Sequence, residues 1–146
     1  MPKQAAVSVY VDLQVPFHDV DVMRITWHGH YVKYLEIART ALIDEIDYGY
    51  EEMENTGYGW PIVDMHLRYV RPARMGQWLR VHADLVEWEN CMKIRYRIVD
   101  LESGALLNKA TSMQVAIDVS TNEMLFASPT IFLNKLRAYG VTIDAS

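Results

Sequence analysis

The sequence predicts an α+β domain in which a five-stranded antiparallel sheet wraps one long helix. Three observations predict it. Five stretches alternate apolar and polar residues, the period of a half-buried strand, while a single long stretch repeats its apolar residues every three or four positions, the period of a helix. Two short polar breaks, "EN" at 89 to 90 and "ESG" at 102 to 104, can each close a hairpin, which makes the last strands an antiparallel meander.

Residues 7 to 15, "VSVYVDLQV", place Val7, Val9, Val11, Leu13 and Val15 on one face, and Pro16 ends the ladder because it has no N–H to give. From Tyr31 to about Ile46, residues Tyr31, Tyr34, Leu35, Ala38, Leu42 and Ile46 mark one helix stripe. Ile37, Ala41 and Ile43 widen it, so burial on more than one side is expected. The polar segment holding Gly49, Gly57 and Gly59 reads as a loop. Strands are then expected at about 61–70, 78–88, 91–100 and 106–118, with Val63, Met65, Leu67 and Tyr69 sharing a face in the first of them. A short helix near 129–138 is predicted within the tail, residues 121–146. No repeat, linker or low-complexity segment intervenes, so residues 1–146 read as one domain, of a size that buries about 70% of its unfolded surface. One helix leaves the sheet edges open, so pairing with a second copy is the natural completion.

Composition narrows the function classes. A net charge of -5, with Lys and Arg scattered along the chain, gives no incentive for binding nucleic acid. No apolar run approaches the roughly 20 residues of a membrane span, and the N-terminus alternates where a signal peptide would be continuously apolar; a cytoplasmic protein with no membrane partner is expected. Cys91 stands alone, so it forms no disulfide within the chain and no thiolate metal cluster.

The stretch "FHDVDVMRITWHGHYVKYLEIART", residues 17 to 40, concentrates two carboxylates and three histidines at the mouth of the apolar helix. Such groups are costly to desolvate without a partner, so their place calls for either solvent or a task. This stretch resembles the signature of the hotdog-fold thioesterases of the 4-hydroxybenzoyl-CoA and YbgC-like type, in which an aromatic-x-D-x-D segment precedes a helix. The resemblance continues through "GWPIVDMHLRYVRPARMGQWLRV", residues 59 to 81, and covers about residues 5 to 120. It implies a sheet wrapped around the helix, a homodimer or homotetramer with active sites between subunits, hydrolysis of a thioester of CoA or of acyl carrier protein, and no cofactor. The family's catalytic carboxylate falls on Asp21 and the motif's histidine on His28.

The chemistry fits those residue types. A thioester carbonyl is attacked by a carboxylate, or by water that a carboxylate deprotonates, while its oxygen gains negative charge. Backbone N–H groups at a helix N-terminus, here around His28 and Gly29, can hold that oxyanion. Tyr31 opens the helix stripe and Trp60 precedes the second strand; both are candidates to line the acyl pocket beside Gly29, Tyr31 equally a candidate for core, and Trp60 a large aromatic at a strand start, a place more often core. Asp19 is the alternative to Asp21, or a loop carboxylate. His28 and His30 form an H-x-H pair without a convincing third ligand, so no metal site is expected.

Three features depart from the family pattern. Arg24 stands where the family usually has Gly, Phe17 where YbgC-like members have Tyr, and "ENCM" follows the "EW" pair at 87 to 88 where the 4-hydroxybenzoyl-CoA branch carries basic residues for nucleotide phosphate. The last leaves room for acyl carrier protein as the carrier. Arg68, Arg71 and Arg74 could meet carrier phosphates, although salt bridges to the 19 acidic residues are the plainer reading. Two other classes stay open: a hotdog dehydratase of 3-hydroxyacyl thioesters, and a non-catalytic acyl or carrier-protein binding domain.

Overall fold

The computed structural model describes residues 4–143. In chain order they form β1 (Val7–Gln14), α1 (His30–Glu45), α2 (Tyr50–Asn55), β2 (Tyr58–Gly59), β3 (Ile62–Tyr69), β4 (Trp78–Glu87), β5 (Met92–Asp100), β6 (Leu106–Gln114), β7 (Ile117–Asp118), β8 (Glu123–Met124) and α3 (Thr130–Tyr139). Strands β1, β4, β5, β6 and β3 lie side by side in that order, every neighbour antiparallel, so β1 and β3 are the two edges. Helix α1 crosses the inner face and packs on β1 and β4.

The alternation read along each strand puts its apolar set against the helix. Leu79, Val81, Ala83 and Leu85 of β4 and Met92, Ile94 and Ile98 of β5 are fully buried with Leu35, Ala38 and Leu42 of α1. The helix stripe is narrower than its sequence suggests, because Ile37 faces outward at 45% exposure. At the C-terminal end, Phe132 and Leu136 of α3 are buried, and the Phe132 ring stacks on Tyr48, so the tail closes one end of the core.

Three elements differ from the sequence reading. The polar loop contains α2, whose one buried side chain is Met53. The expected strand over 106–118 stops at Gln114, and Ile117–Asp118 pairs instead with Tyr58–Gly59 and Glu123–Met124 in a second, three-stranded sheet. Strand β3 alternates as predicted, yet only the middle of its shared face joins the core: Met65 and Leu67 pack partly buried against it, whereas Val63 is 48% and Tyr69 50% exposed near the ends of an edge strand that α1 touches through Tyr31 on Tyr69.

The outer face of the sheet is polar and unevenly charged. In the registers, Arg97 stands opposite Lys109 and Lys109 opposite Arg68, a row of cationic side chains across three strands, with His82 opposite Arg97 on the fourth. Arg95 pairs with Asp84 at 3.2 Å and Arg80 with Asp12 at 2.8 Å, whereas Arg97, Lys109 and Arg68 make no ion pair among the described residues.

Candidate active site

The segment between β1 and α1 is a tight loop clamped on both sides. Pro16 starts a single 3₁₀ turn, Phe17–Asp19. The Asp21 N–H donates to the Ile25 carbonyl at 3.0 Å and the Arg24 N–H to the Asp21 carbonyl at 2.9 Å, closing a turn at the tip. The Thr26 N–H donates to the Ala73 carbonyl at 2.7 Å, and Ile25 bridges Arg74, so the loop leans on the chain that follows β3. At the tip Arg24 has φ 63°, the left-handed conformation that glycine adopts freely, and so an arginine keeps the turn in shape. Outside glycine that conformation costs about 1–2 kcal/mol.

The two aspartates of the motif have opposite surroundings. Asp19 is 1% exposed; its carboxylate accepts hydrogen bonds from Lys33 Nζ at 2.6 Å and from the Tyr34 hydroxyl at 2.7 Å, with His30 Nδ1 at 3.9 Å. Burial pushes its carboxyl up, but the bonds from Lys33 and Tyr34 and the nearby positive charge outweigh that and hold it below the usual carboxylate range. Burial first, and then the bond to Asp19, raise the Tyr34 hydroxyl. Asp19 therefore ties the loop to the first turns of α1. Asp21 is exposed, and one of its oxygens accepts the Met23 N–H at 2.8 Å.

Asp21 borders a depression of about 360 Å³ together with Thr26, Trp27, His28, Tyr31 and Tyr69. The structure thus brings Asp21, His28 and Tyr31 to one cavity beside the start of α1. Tyr31 is buried, and its hydroxyl accepts the Ala73 N–H at 2.9 Å. Burial raises the pKa of that hydroxyl. The Tyr69 hydroxyl donates to the His28 carbonyl at 2.9 Å, which fixes the backbone just ahead of the helix. The His30 N–H is taken by the Trp27 carbonyl at 2.9 Å, whereas the N–H groups of His28 and Gly29 meet no acceptor among the described residues.

Gly29 has an ordinary helical φ of -71°, so its need is for space. A Cβ there would lie 2.2 Å from the Trp27 ring. Trp27 in turn packs against the rings of His28 at 4.9 Å and His30 at 5.3 Å, so this one glycine lets an indole seat two imidazoles.

Trp60 belongs elsewhere. It is 8% exposed, donates from Nε1 to the Tyr48 hydroxyl at 2.9 Å and packs edge-on against Phe132, on the core wall by α3 and not on the depression. The expected salt bridges of Arg68, Arg71 and Arg74 are also absent among the described residues, and Arg71 lines the same depression as Asp21. Three partners escaped the sequence reading. Tyr69 looked like one more core residue of an alternating strand. Lys33 and Tyr34 carried a signal in their spacing, since they follow Asp19 within one loop and one helical turn, but nothing in the pattern said which aspartate they would meet.

The model of the thioesterase-like superfamily matches residues 15–136. The chain belongs to that superfamily. Among its relatives, the Bacillus subtilis (strain 168) protein named "Putative acyl-CoA thioesterase YneP" is 29% identical over 107 residues, 73% of this chain and 78% of that protein. "Acyl-CoA thioester hydrolase YbgC" of Escherichia coli O157:H7 is 24% identical over 107 residues, 73% of this chain and 79% of YbgC. The 1,4-dihydroxy-2-naphthoyl-CoA thioesterase Slr0204 from Synechocystis superposes with a TM-score of 0.79 at 17% identity, over 89% of this chain and 96% of that one, a likeness of the hotdog fold.

Proposed function

We propose that this thioesterase-superfamily chain hydrolyses an acyl or aryl thioester carried on CoA or on acyl carrier protein, with Asp21 as nucleophile or general base. One observation carries the reading: of the two motif carboxylates, Asp19 is consumed by Lys33 and Tyr34, while Asp21 is open to solvent on a cavity beside the helix start. As general base Asp21 takes a proton from the water that adds to the carbonyl carbon, or as nucleophile it adds itself and forms a mixed anhydride that water then hydrolyses to restore the carboxylate. In either route the carbon–sulfur bond breaks, and the thiolate leaves and takes up a proton. The N–H groups of His28 and Gly29, at the positive end of the α1 dipole, stabilise the oxyanion formed in between. His28 assists by polarising the carbonyl or protonating the thiolate.

The working unit is at least a dimer. Phe17, Val22, Met23, Val63, Tyr69 and Val70 leave an apolar rim around the loop and the open edge β3, next to the cavity, a surface that a second copy would cover. CoA thioesters are supported as substrates by the named activities of YneP and YbgC.

The test is release of free thiol from a panel of acyl- and aryl-CoA thioesters by the parent, Asp21→Asn and Asp21→Ala. Loss of about 10² to 10⁴ in kcat/KM in both variants, with the melting temperature kept, is expected. Variants within tenfold of the parent would remove Asp21 from the mechanism. An enoyl chromophore without free thiol would assign the chain to the dehydratases.

A further inference from the structure

Arg24 is held in a left-handed conformation that a glycine adopts freely, and its side chain makes no hydrogen bond, ion pair or ring contact within the described residues. Non-glycine positive φ angles occur at Arg24, Asp47 and Asn122 among the described residues. Asp and Asn tolerate that region because a short polar side chain bonds locally, an explanation a long guanidinium cannot share. The Arg24 guanidinium makes no hydrogen bond and no ion pair among the described residues, in a chain with 19 acidic side chains and a net charge of -5. Local geometry gives no reason for an arginine there, and intramolecular pairing gives none either. What remains is what the side chain faces. Arg24 lines a depression of about 460 Å³ that also includes Asp21, with Phe17, Val22 and Met75 as apolar walls. Arg71, equally unpaired, lines the other depression bordered by Asp21. Two free guanidinium groups therefore flank the one open carboxylate of the motif. A planar fork of donors, always charged, matches the oxygens of a phosphate ester.

We infer that Arg24 and Arg71 bind the phosphate groups on the pantetheine arm of the thioester substrate. This rests on the proposed thioesterase reading. A phosphate on that arm comes from the diphosphate and nucleotide of CoA or from the single phosphodiester of a carrier protein, and the two sources share the chemistry that the arginines recognise. The pair also fills the role left open by the "ENCM" segment, which offers no phosphate donors beside the "EW" pair.

The test compares one acyl group on CoA, on 4′-phosphopantetheine and on N-acetylcysteamine, using the parent, Arg24→Gly, Arg71→Ala and the double variant, with Arg97→Gln on the outer sheet face as a control for net charge. Arg24→Gly is the informative variant because it fits the backbone; the melting temperature should stay or rise by up to about 4 °C. Each single variant is expected to raise KM for the CoA thioester about tenfold, the value of one charge-assisted bond, and the double variant about a hundredfold. The penalty should vanish on N-acetylcysteamine, which has no phosphate. If it persists on 4′-phosphopantetheine, the arginines read the phosphate nearest the pantetheine; if it is confined to CoA, they read the nucleotide end. An unchanged KM for CoA, an equal loss on all three carriers, or the same loss in Arg97→Gln would overturn the inference. Calorimetric titration of CoA itself, expected to weaken about tenfold in Arg24→Gly, separates it from the reading beneath it. Weakened CoA binding by a chain that releases no thiol would leave the phosphate site standing and the hydrolase reading fallen.

Discussion

Replacing Asp19 by alanine should unfold the protein at lower temperature, whereas the same change at Asp21 should leave the fold alone. The Tyr34 hydroxyl, within a side chain only 1% exposed, would lose its acceptor at 2.7 Å. A buried hydroxyl left without a partner costs about 1–3 kcal/mol. Lys33 is 45% exposed and returns to water, so its share is small. With the space left by a carboxylate that is 1% exposed, the total is about 2–4 kcal/mol, or roughly 5–15 °C in melting temperature for a chain of this size. Asp21 holds the Met23 N–H at an exposed tip, worth no more than about 1 kcal/mol. Thermal melts followed by circular dichroism decide between them: a melting temperature of Asp19→Ala within about 2 °C of the parent, or an Asp21→Ala loss as large as that of Asp19→Ala, would refute the reasoning. The sign with pH follows from the depressed folded pKa of Asp19. The unfolded carboxyl ionises near pH 4, so the stabilisation is complete above that value and is lost as pH falls through the lower, folded pKa. The gap in melting temperature between the parent and Asp19→Asn should therefore be full at pH 6 and shrink below pH 4.

Sedimentation at micromolar concentration should give at least a dimer; an active monomer would contradict the place proposed for edge β3. Gly29→Ala should force the Trp27 ring off His28 and His30, since the added Cβ would sit 2.2 Å from it. The expected signs are a shift in tryptophan emission and a loss of about tenfold or more in kcat, while an unshifted spectrum with full activity would mean that the ring yields without consequence.

The parts of the fold legible in the sequence are those in which one face is buried. Leu79 to Leu85 and Met92 to Ile98 alternate because α1 covers them, and the pattern alone told inside from outside. Alternation is silent on how fully a face is covered, so Val63 and Tyr69 looked like core on an edge strand where both stay about half exposed, even though Tyr31 of α1 meets the Tyr69 ring. Helix α2, "YEEMEN", has one buried residue in six and therefore no period to detect. Ile117 continues the alternation of β6 but leaves its sheet to pair with Gly59, a choice made by long-range contact. At the site, the motif brought Asp21 and His28 forward by resemblance, while the division of labour between Asp19 and Asp21 depends on which one α1 reaches. For Trp60 the sequence left pocket and core both open, and the choice rests on Tyr48 and Phe132, packing partners distant in the chain.

The cationic row across the outer sheet limits how dimers can assemble further. Laying two such faces together about a two-fold axis would set Arg97, Lys109 and Arg68 of one sheet against the same residues of another, with Asp84 and Asp12 already engaged by Arg95 and Arg80 of neighbouring strands. Like charges brought into a dry contact repel and lose their hydration. Sheet-to-sheet tetramers are thus disfavoured in dilute buffer, and added salt, which shortens the reach of each charge to about 10 Å at 0.1 M and about 3 Å at 1 M, acts in their favour. Ionic strength would thereby act on the further assembly of a dimer of this chain through the face of the sheet turned away from α1.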